Sequence, residues 1–221
     1  EGLKAKLTYG RDIQDYIDKE YENHIVGDGA PTGRYSETRF RRTIENFTQT
    51  INYDRTFEDK HNVSLLLGHE SLDRNYSEVN GIANTQTATG IFEFDNFAAG
   101  DNIGGFSTDR RLEGYFARLN YNFDNKYFLS GSFRRDGTSV FSADVRWGNF
   151  YSLGASWSID KEKFMEDVSF VDRLKLRASY GEVGNDDLNN FYISQALYTI
   201  IANAGDPGIF WSTTGNDLLT W

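Results

Sequence analysis

Glu182 and the adjacent pair Asp186 and Asp187 are a grouping of acids that could suggest chemistry. Two carboxylates cleave a glycosidic bond only when held across a cleft with one pKa raised. Neighbouring acids in a polar run are ordinarily solvated, so no catalysis is expected from these three. His24, His61 and His69 lack the spacing of helical or hairpin ligands, which predicts solvated imidazoles and no metal. No nucleophile elbow, phosphate-binding loop or dinucleotide fingerprint occurs, and no cofactor is expected. What remains is binding chemistry, in two ring-rich stretches. Residues 91–106, IFEFDNFAAGDNIGGF, combine Phe92, Phe94, Phe97 and Phe106 with Asp95, Asn96, Asp101 and Asn102, and a later stretch offers Tyr192, Tyr198, Phe210 and Trp211. Flat rings stack on sugar faces or hold apolar peptide side chains, while carboxylates and amides satisfy hydroxyls and backbone groups. The candidate ligand contacts are Phe92, Phe94, Asp95, Phe97, Asp101 and Trp211. An equally weighted reading has these rings pack among themselves or dock a partner.

The elements that must carry such stretches show a period of two. In the segment 147–159, Trp147, Tyr151, Leu153, Ala155, Trp157 and Ile159 share one parity, and Gly148, Ser152, Gly154, Ser156 and Ser158 the other. Alternate side chains of a strand point to opposite faces, so one face is broad and apolar and the other small and polar. Asn149 and Phe150 break the rule. The same alternation runs through 46–57, 62–76, 111–123, 127–134 and 174–181, with a first strand near residues 2–10. Turns EDKH and DNK join two pairs closely, whereas the connections around residues 17–34, 77–110 and 185–217 are long and rich in Gly, Asn, Asp and Thr. Short connections alternating with long ones predict an antiparallel up-and-down sheet with short turns at one end and long outer loops at the other. Tyr53, Phe57, Tyr121, Phe123, Tyr127 and Trp157 gather beside the short connections, as an interfacial girdle does.

Composition agrees. The 221 residues include 17 Phe, 13 Tyr and 4 Trp, yet hydrophobic residues reach only 38%. Rings without long aliphatic runs suit strands that place bulky side chains singly on one face. A soluble β-sandwich, the competing architecture, calls for more Val and Ile and gives no reason for rings to collect at strand ends. The net charge of −10 argues against general nucleic-acid binding, with Arg34, Arg39, Arg41 and Arg42 as a local exception. The absence of cysteine is silent on redox compartment. No apolar run reaches the length of a spanning helix, which leaves barrel strands of about 10 residues untouched as a possibility.

Against this background residues 110–188 strongly resemble the barrel of the SusC/RagA family of TonB-dependent outer-membrane transporters of Bacteroidetes. The resemblance rests on Arg134-Arg135-Asp136-Gly137, Arg146-Trp147-Gly148, and Leu174 to Gly181 with Gly184-Asn185-Asp186. Val140, Ser142 and the pair Glu182-Val183 depart from its usual loops. It implies an all-β fold, an up-and-down transmembrane β-barrel of about 22 strands, of which residues 1–221 supply seven or eight. A plug domain and a TonB-contacting segment are expected outside this chain, and Asn216 to Trp221 resembles the start of an internal eighth strand. The implied activity is TonB-driven import of an oligosaccharide or peptide, with a SusD-like surface lipoprotein as lid; the alternative is a soluble or surface-attached carbohydrate-binding β-protein. The implied surroundings are outer-membrane lipid on the apolar parity (Tyr115, Leu119, Tyr121, Leu129, Leu153, Trp157) and the lumen on the polar one (Arg118, Ser130, Ser132, Ser152, Ser156). Arg134, Arg135, Asp136 and Arg146 are expected to brace the outer connection 134–147 through charge-assisted hydrogen bonds.

Overall fold

The computed structural model describes residues 2–188, 190–203 and 206–221, with the side chains of Asp101 and Asn203 outside the described set. Seven strands form one sheet in chain order: β1 (Gly2–Glu22), β2 (Arg34–Phe57), β3 (His61–Gln86), β4 (Phe97–Phe123), β5 (Tyr127–Thr138), β6 (Trp147–Ser158) and β7 (Lys175–Gly181). A separate antiparallel hairpin follows, β8 (Leu197–Asn203) and β9 (Asp206–Thr213). Strands β1 and β7 each have one neighbour, so the sheet does not close on itself.

The two shortest connections follow from their residues. Glu58 and Asp59, and again Asp124 and Asn125, hold φ between 48° and 56°. Consecutive left-handed residues make the tight turn whose twist matches paired strands, and Asp and Asn tolerate that conformation. Lys60 N–H donates to the Phe57 carbonyl at 3.1 Å and Lys126 N–H to the Phe123 carbonyl at 2.9 Å, closing both turns.

The register carries the expected two faces. Across β4, β5, β6 and β7, Leu119, Gly131, Leu153 and Tyr180 are aligned, as are Tyr121, Leu129, Ala155 and Ala178. On the opposite parity Arg118, Ser132 and Ser152 align, and so do Asn120, Ser130, Gly154 and Ser179. Ser132 and Ser152 meet hydroxyl to hydroxyl at 2.7 Å. The apolar set stays uncovered, with Leu153 at 65% and Tyr180 at 61% exposure. An apolar face this open would be unstable in water, and it suits a face turned to hydrocarbon.

Rings bound this face at two levels. Beside the short turns His61, Phe123, Tyr127 and Trp157 form a row with neighbouring centroids 4.8, 6.2 and 6.3 Å apart. Their polar tips are tied: Tyr127 and Trp157 donate to Glu162 at 2.5 and 3.0 Å, and the His61 ring meets the Tyr121 hydroxyl at 2.7 Å. At the second level His69, Tyr115 and Trp147 follow one another at 4.7 and 6.2 Å, with the Arg135 guanidinium 5.3 Å over the Trp147 ring. From Tyr115 to Phe123 is nine residues of β4, the length with which a tilted strand crosses a bilayer. His61 and His69 are therefore engaged rather than solvated, His69 lying 3.3 Å from Glu113 and 3.4 Å from Gln49.

Several boundaries differ from the sequence expectation. The chain continues as strand through residues 17–22 of the first range assigned to a long loop and through 77–86 and 97–110 of the second, and residues 185–217 contain the β8–β9 hairpin. In the strand segments within and flanking these ranges other cross-strand pairs hold the sheet. Arg11 meets Glu45 at 3.0 Å, Asp15 meets Arg41 at 2.6 Å, and Tyr16, Phe40, Tyr76 and Phe106 stack in sequence at 4.9, 5.3 and 5.6 Å. Such pairs stabilise a sheet as effectively as a shared apolar face, each by about 0.2–1 kcal/mol. The Trp221 ring lies edge-on to Phe141 and Phe150 at 5.7 and 5.4 Å. That contact also accounts for Phe150, the residue out of pattern on the polar face.

The described contacts divide the chain into two compact units, Glu1–Tyr9 with Asn46–Leu72 and Arg111–Trp221, and Gly10–Glu45 with Asp73–Arg110. The first holds both ring levels; the second holds the first of the ring-rich stretches.

Candidate functional site

In the second unit the connection after β3 turns back over the sheet through a single 3-10 turn, Phe94–Asn96. Asn96 fixes it, donating its side-chain amide to the carbonyls of Ala88 and Ile91 at 2.7 and 2.9 Å and accepting from Ala88 N–H at 3.0 Å. This lays three phenylalanines onto two tyrosines. Phe92 meets Tyr21 at 4.7 Å, Phe94 meets Tyr35 edge-on at 5.1 Å, and Phe97 stacks on Tyr35 at 5.5 Å. Gly81 makes the fit possible, since a side chain there would begin 3.1 Å from the Phe94 ring. Phe97, Tyr35 and Ala83 form the buried cluster, while Phe92 and Phe94 keep 43% and 40% exposure. Phe97 is thus a floor residue, and Phe92 and Phe94 are the half-exposed rings.

Beside them lies a cavity of about 550 Å³ lined by Glu37, Arg39, Val79, Glu93, Phe94, Asp95 and Ile103 among others. Glu37 is buried and fully engaged: it accepts from the Tyr35 hydroxyl at 2.7 Å and from Arg39 Nε, with Lys19 Nζ at 3.6 Å. Burial pushes its carboxyl up, but those three donors outweigh it and hold the group below the usual carboxylate range. Lys19 also donates to Glu93 at 3.1 Å, which raises the ammonium above its ordinary value. The basic cluster noted in the sequence is therefore neutralised at three positions, Arg34 by Glu22, Arg39 by Glu37 and Arg41 by Asp15. Asp95 is exposed at the cavity edge, and the Asp101 side chain lies outside the described residues.

The first unit holds the remaining candidates. Arg134 and Asp136 stand on β5 rather than in a loop, because that strand runs to Thr138. Arg134 Nε donates to both Asp136 oxygens at 2.7 and 2.6 Å, and its Nη2 reaches Glu70 on β3. Gly114 of β4 leaves the room, since a Cβ there would lie 2.6 Å from Asp136 Oδ1 and 2.9 Å from Arg134 Nη2. The charge-assisted bonds thus tie strands together on the polar face. Arg135 points the other way, onto Trp147. The loop after β5 is braced by neutral groups instead: Thr138 N–H and Trp221 Nε1 donate to the Arg146 carbonyl at 3.3 and 2.8 Å, and Ser194 Oγ to the Val140 carbonyl at 2.8 Å. Among the described residues Arg146 contributes its backbone carbonyl, and its buried Nε has no hydrogen-bond partner. Trp211, on β9, is 57% exposed and donates Nε1 to the Thr213 carbonyl at 2.9 Å.

The structure brings Phe92, Phe94, Asp95 and Phe97 together and keeps Trp211 on a separate hairpin. Sequence reasoning missed Tyr21, Tyr35, Glu37 and Glu70, and took Arg39 only as part of a basic cluster. The alternation Tyr35-x-Glu37-x-Arg39 was the available signal, since a period of two puts these three on one face.

Comparison with known proteins places this arrangement. The family model described as TonB dependent receptor-like, beta-barrel matches residues 2–221. TonB-dependent receptor P39 of Formosa agariphila is 35% identical over the whole chain, and TonB-dependent receptor SusC of Bacteroides thetaiotaomicron is 39% identical over 43% of it. A solved structure of the RagAB peptide transporter superposes over the whole chain with a TM-score of 0.93 at 26% identity. The chain spans 22% of the P39 length, 10% of SusC and 25% of the RagAB chain. It belongs to the TonB-dependent receptor β-barrel family and is a segment of an outer-membrane barrel wall.

Proposed function

We propose that the full protein imports an oligosaccharide or peptide across the outer membrane, driven by TonB and assisted by a SusD-like surface lipoprotein. The observation that carries this reading is the seven-stranded sheet with one apolar and one polar face, similar along its whole length to the wall of a transporter. The plug domain and the TonB-contacting segment belong to the protein outside these residues. The chain's own part is to present one face to lipid, line the lumen with small polar groups, and contribute ligand contacts through Phe92, Phe94 and Asp95, and through Trp211 on its hairpin. A soluble carbohydrate-binding protein would have to leave the Leu119–Leu153–Tyr180 surface in water at a cost of about 25 cal/mol for each Å² of apolar area. The test is accumulation of labelled oligosaccharides and peptides by cells with and without the gene, and with and without TonB. Uptake that needs both supports the proposal; uptake indifferent to TonB, or a full-length protein found in the aqueous fraction, overturns it.

A further inference from the structure

We propose, building on that reading, that the cavity of the second unit is a subsite for a short zwitterionic peptide, held by Arg39 at its carboxylate and by Asp95 at its ammonium. The cavity, about 550 Å³, is within the range of ligand sites, about 300–1,000 Å³. Its floor is Ala83 and Phe97, and Val79, Ile103 and the Phe94 ring add exposed apolar surface at its margin. Its edges carry the Arg39 guanidinium, which is shared with Glu37, and the Asp95 carboxylate. Among the described residues Arg39 spends Nε on Glu37, which leaves the paired terminal nitrogens of an exposed guanidinium for a second carboxylate. Asp95 is an exposed carboxylate with no hydrogen-bond or ionic partner among the described residues, and Glu93 beside it is balanced by Lys19. Deeper in, Glu37 accepts from Tyr35 and Arg39, with the Lys19 ammonium it shares with Glu93 at 3.6 Å.

A neutral oligosaccharide would find hydroxyl partners in Asn80 and Asp95 but would use neither the Arg39 nor the Asp95 charge, whereas a ligand with charged ends uses both. An apolar side chain flanked by one negative and one positive end matches both the floor and the two edges.

The test uses the full-length transporter purified with its lipoprotein, and calorimetric titration with trileucine, N-acetyl-trileucine, trileucine amide and maltohexaose. Trileucine is expected to bind at least about tenfold more tightly than either capped form. Arg39→Gln should weaken trileucine and N-acetyl-trileucine by about tenfold and leave the amide unchanged, whereas Asp95→Asn should weaken trileucine and the amide and leave the acetylated form unchanged. Equal losses for all three peptides, or none, overturn the proposal. So does maltohexaose binding that either substitution abolishes, which would assign the cavity to sugar. Loss of the lipoprotein from the purified complex on Arg39→Gln or Asp95→Asn also overturns it, making the cavity a protein interface. Failure of the import reading shows separately, as uptake that ignores TonB whatever these affinities are.

Discussion

Replacing Phe97 by Ala should loosen the second unit selectively. Phe97 is 8% exposed, stacks on Tyr35 at 5.5 Å with planes 16° apart, and lies 6.5 Å from Tyr21. Truncating a buried phenylalanine costs about 3–5 kcal/mol, from lost transfer free energy and the cavity left behind. The buried cluster here is Tyr35, Ala83 and Phe97 with Tyr21 against it, so the site can collapse in part and the lower value, about 3 kcal/mol, applies. At 1.4 kcal/mol per decade this raises local opening about a hundredfold. Hydrogen exchange on the full-length protein in detergent reads it directly. The amides of Thr85 and Gln86, bonded to the carbonyls of Gly33 and Thr32, should exchange about a hundredfold faster, while those of β5 and β6 keep their protection. Phe97→Leu, which restores most of the volume and loses the ring stack, should cost about 1 kcal/mol. Unchanged exchange at Thr85 and Gln86, or equal acceleration in β5 and β6, would refute the reasoning.

Other expectations concern charge and packing. Arg134→Gln should lower stability by about 1 kcal/mol, measured by denaturant unfolding in micelles; the pair with Asp136 is partly exposed and screened, and a loss above about 3 kcal/mol would mean a buried network instead. Because the folded Glu37 carboxyl is held below the usual carboxylate range, the stability it contributes is present above the unfolded value and is lost as pH falls through the folded one. Exchange at Thr85 and Gln86 should therefore be flat from pH 7 to about 5, after correction for intrinsic rates, and rise below about 4.5; Glu37→Gln should remove that rise. Gly81→Val should evict the Phe94 ring, seen as faster proteolysis within residues 87–96 and preserved cleavage resistance in β5 and β6.

The wall was legible in the sequence because two solvents write a period of two into it. Leu119, Tyr121, Leu129 and Leu153 alternate with Asn120, Ser130 and Ser152, and the register aligns each set as expected. The short turns were legible for the same local reason, Asp and Asn in left-handed positions. In the second unit the pattern fades, and the parts of β1 and β2 held by Asp15–Arg41 and Tyr16–Phe40 carry no alternation that marks them as strands. Pairing between residues 26 or 24 positions apart is invisible until the register is known. Gly137, assigned to the outer connection 134–147, sits instead inside β5 where it accommodates the Trp147 ring. The ring-rich stretch was located correctly as a concentration of chemistry, but which rings are floor and which are open depends on Tyr21 and Tyr35, distant in sequence.

The central claim is that the odd and even positions of β5 and β6 meet different solvents. Spin labels placed singly at Leu129 and Leu153, and at Ser130 and Ser152, in the full-length protein reconstituted in bilayers test it most directly. The account predicts that the first two are relaxed by oxygen dissolved in the hydrocarbon and the second two by a water-soluble nickel complex. Equal accessibility of neighbouring positions, or the reverse assignment, would contradict it.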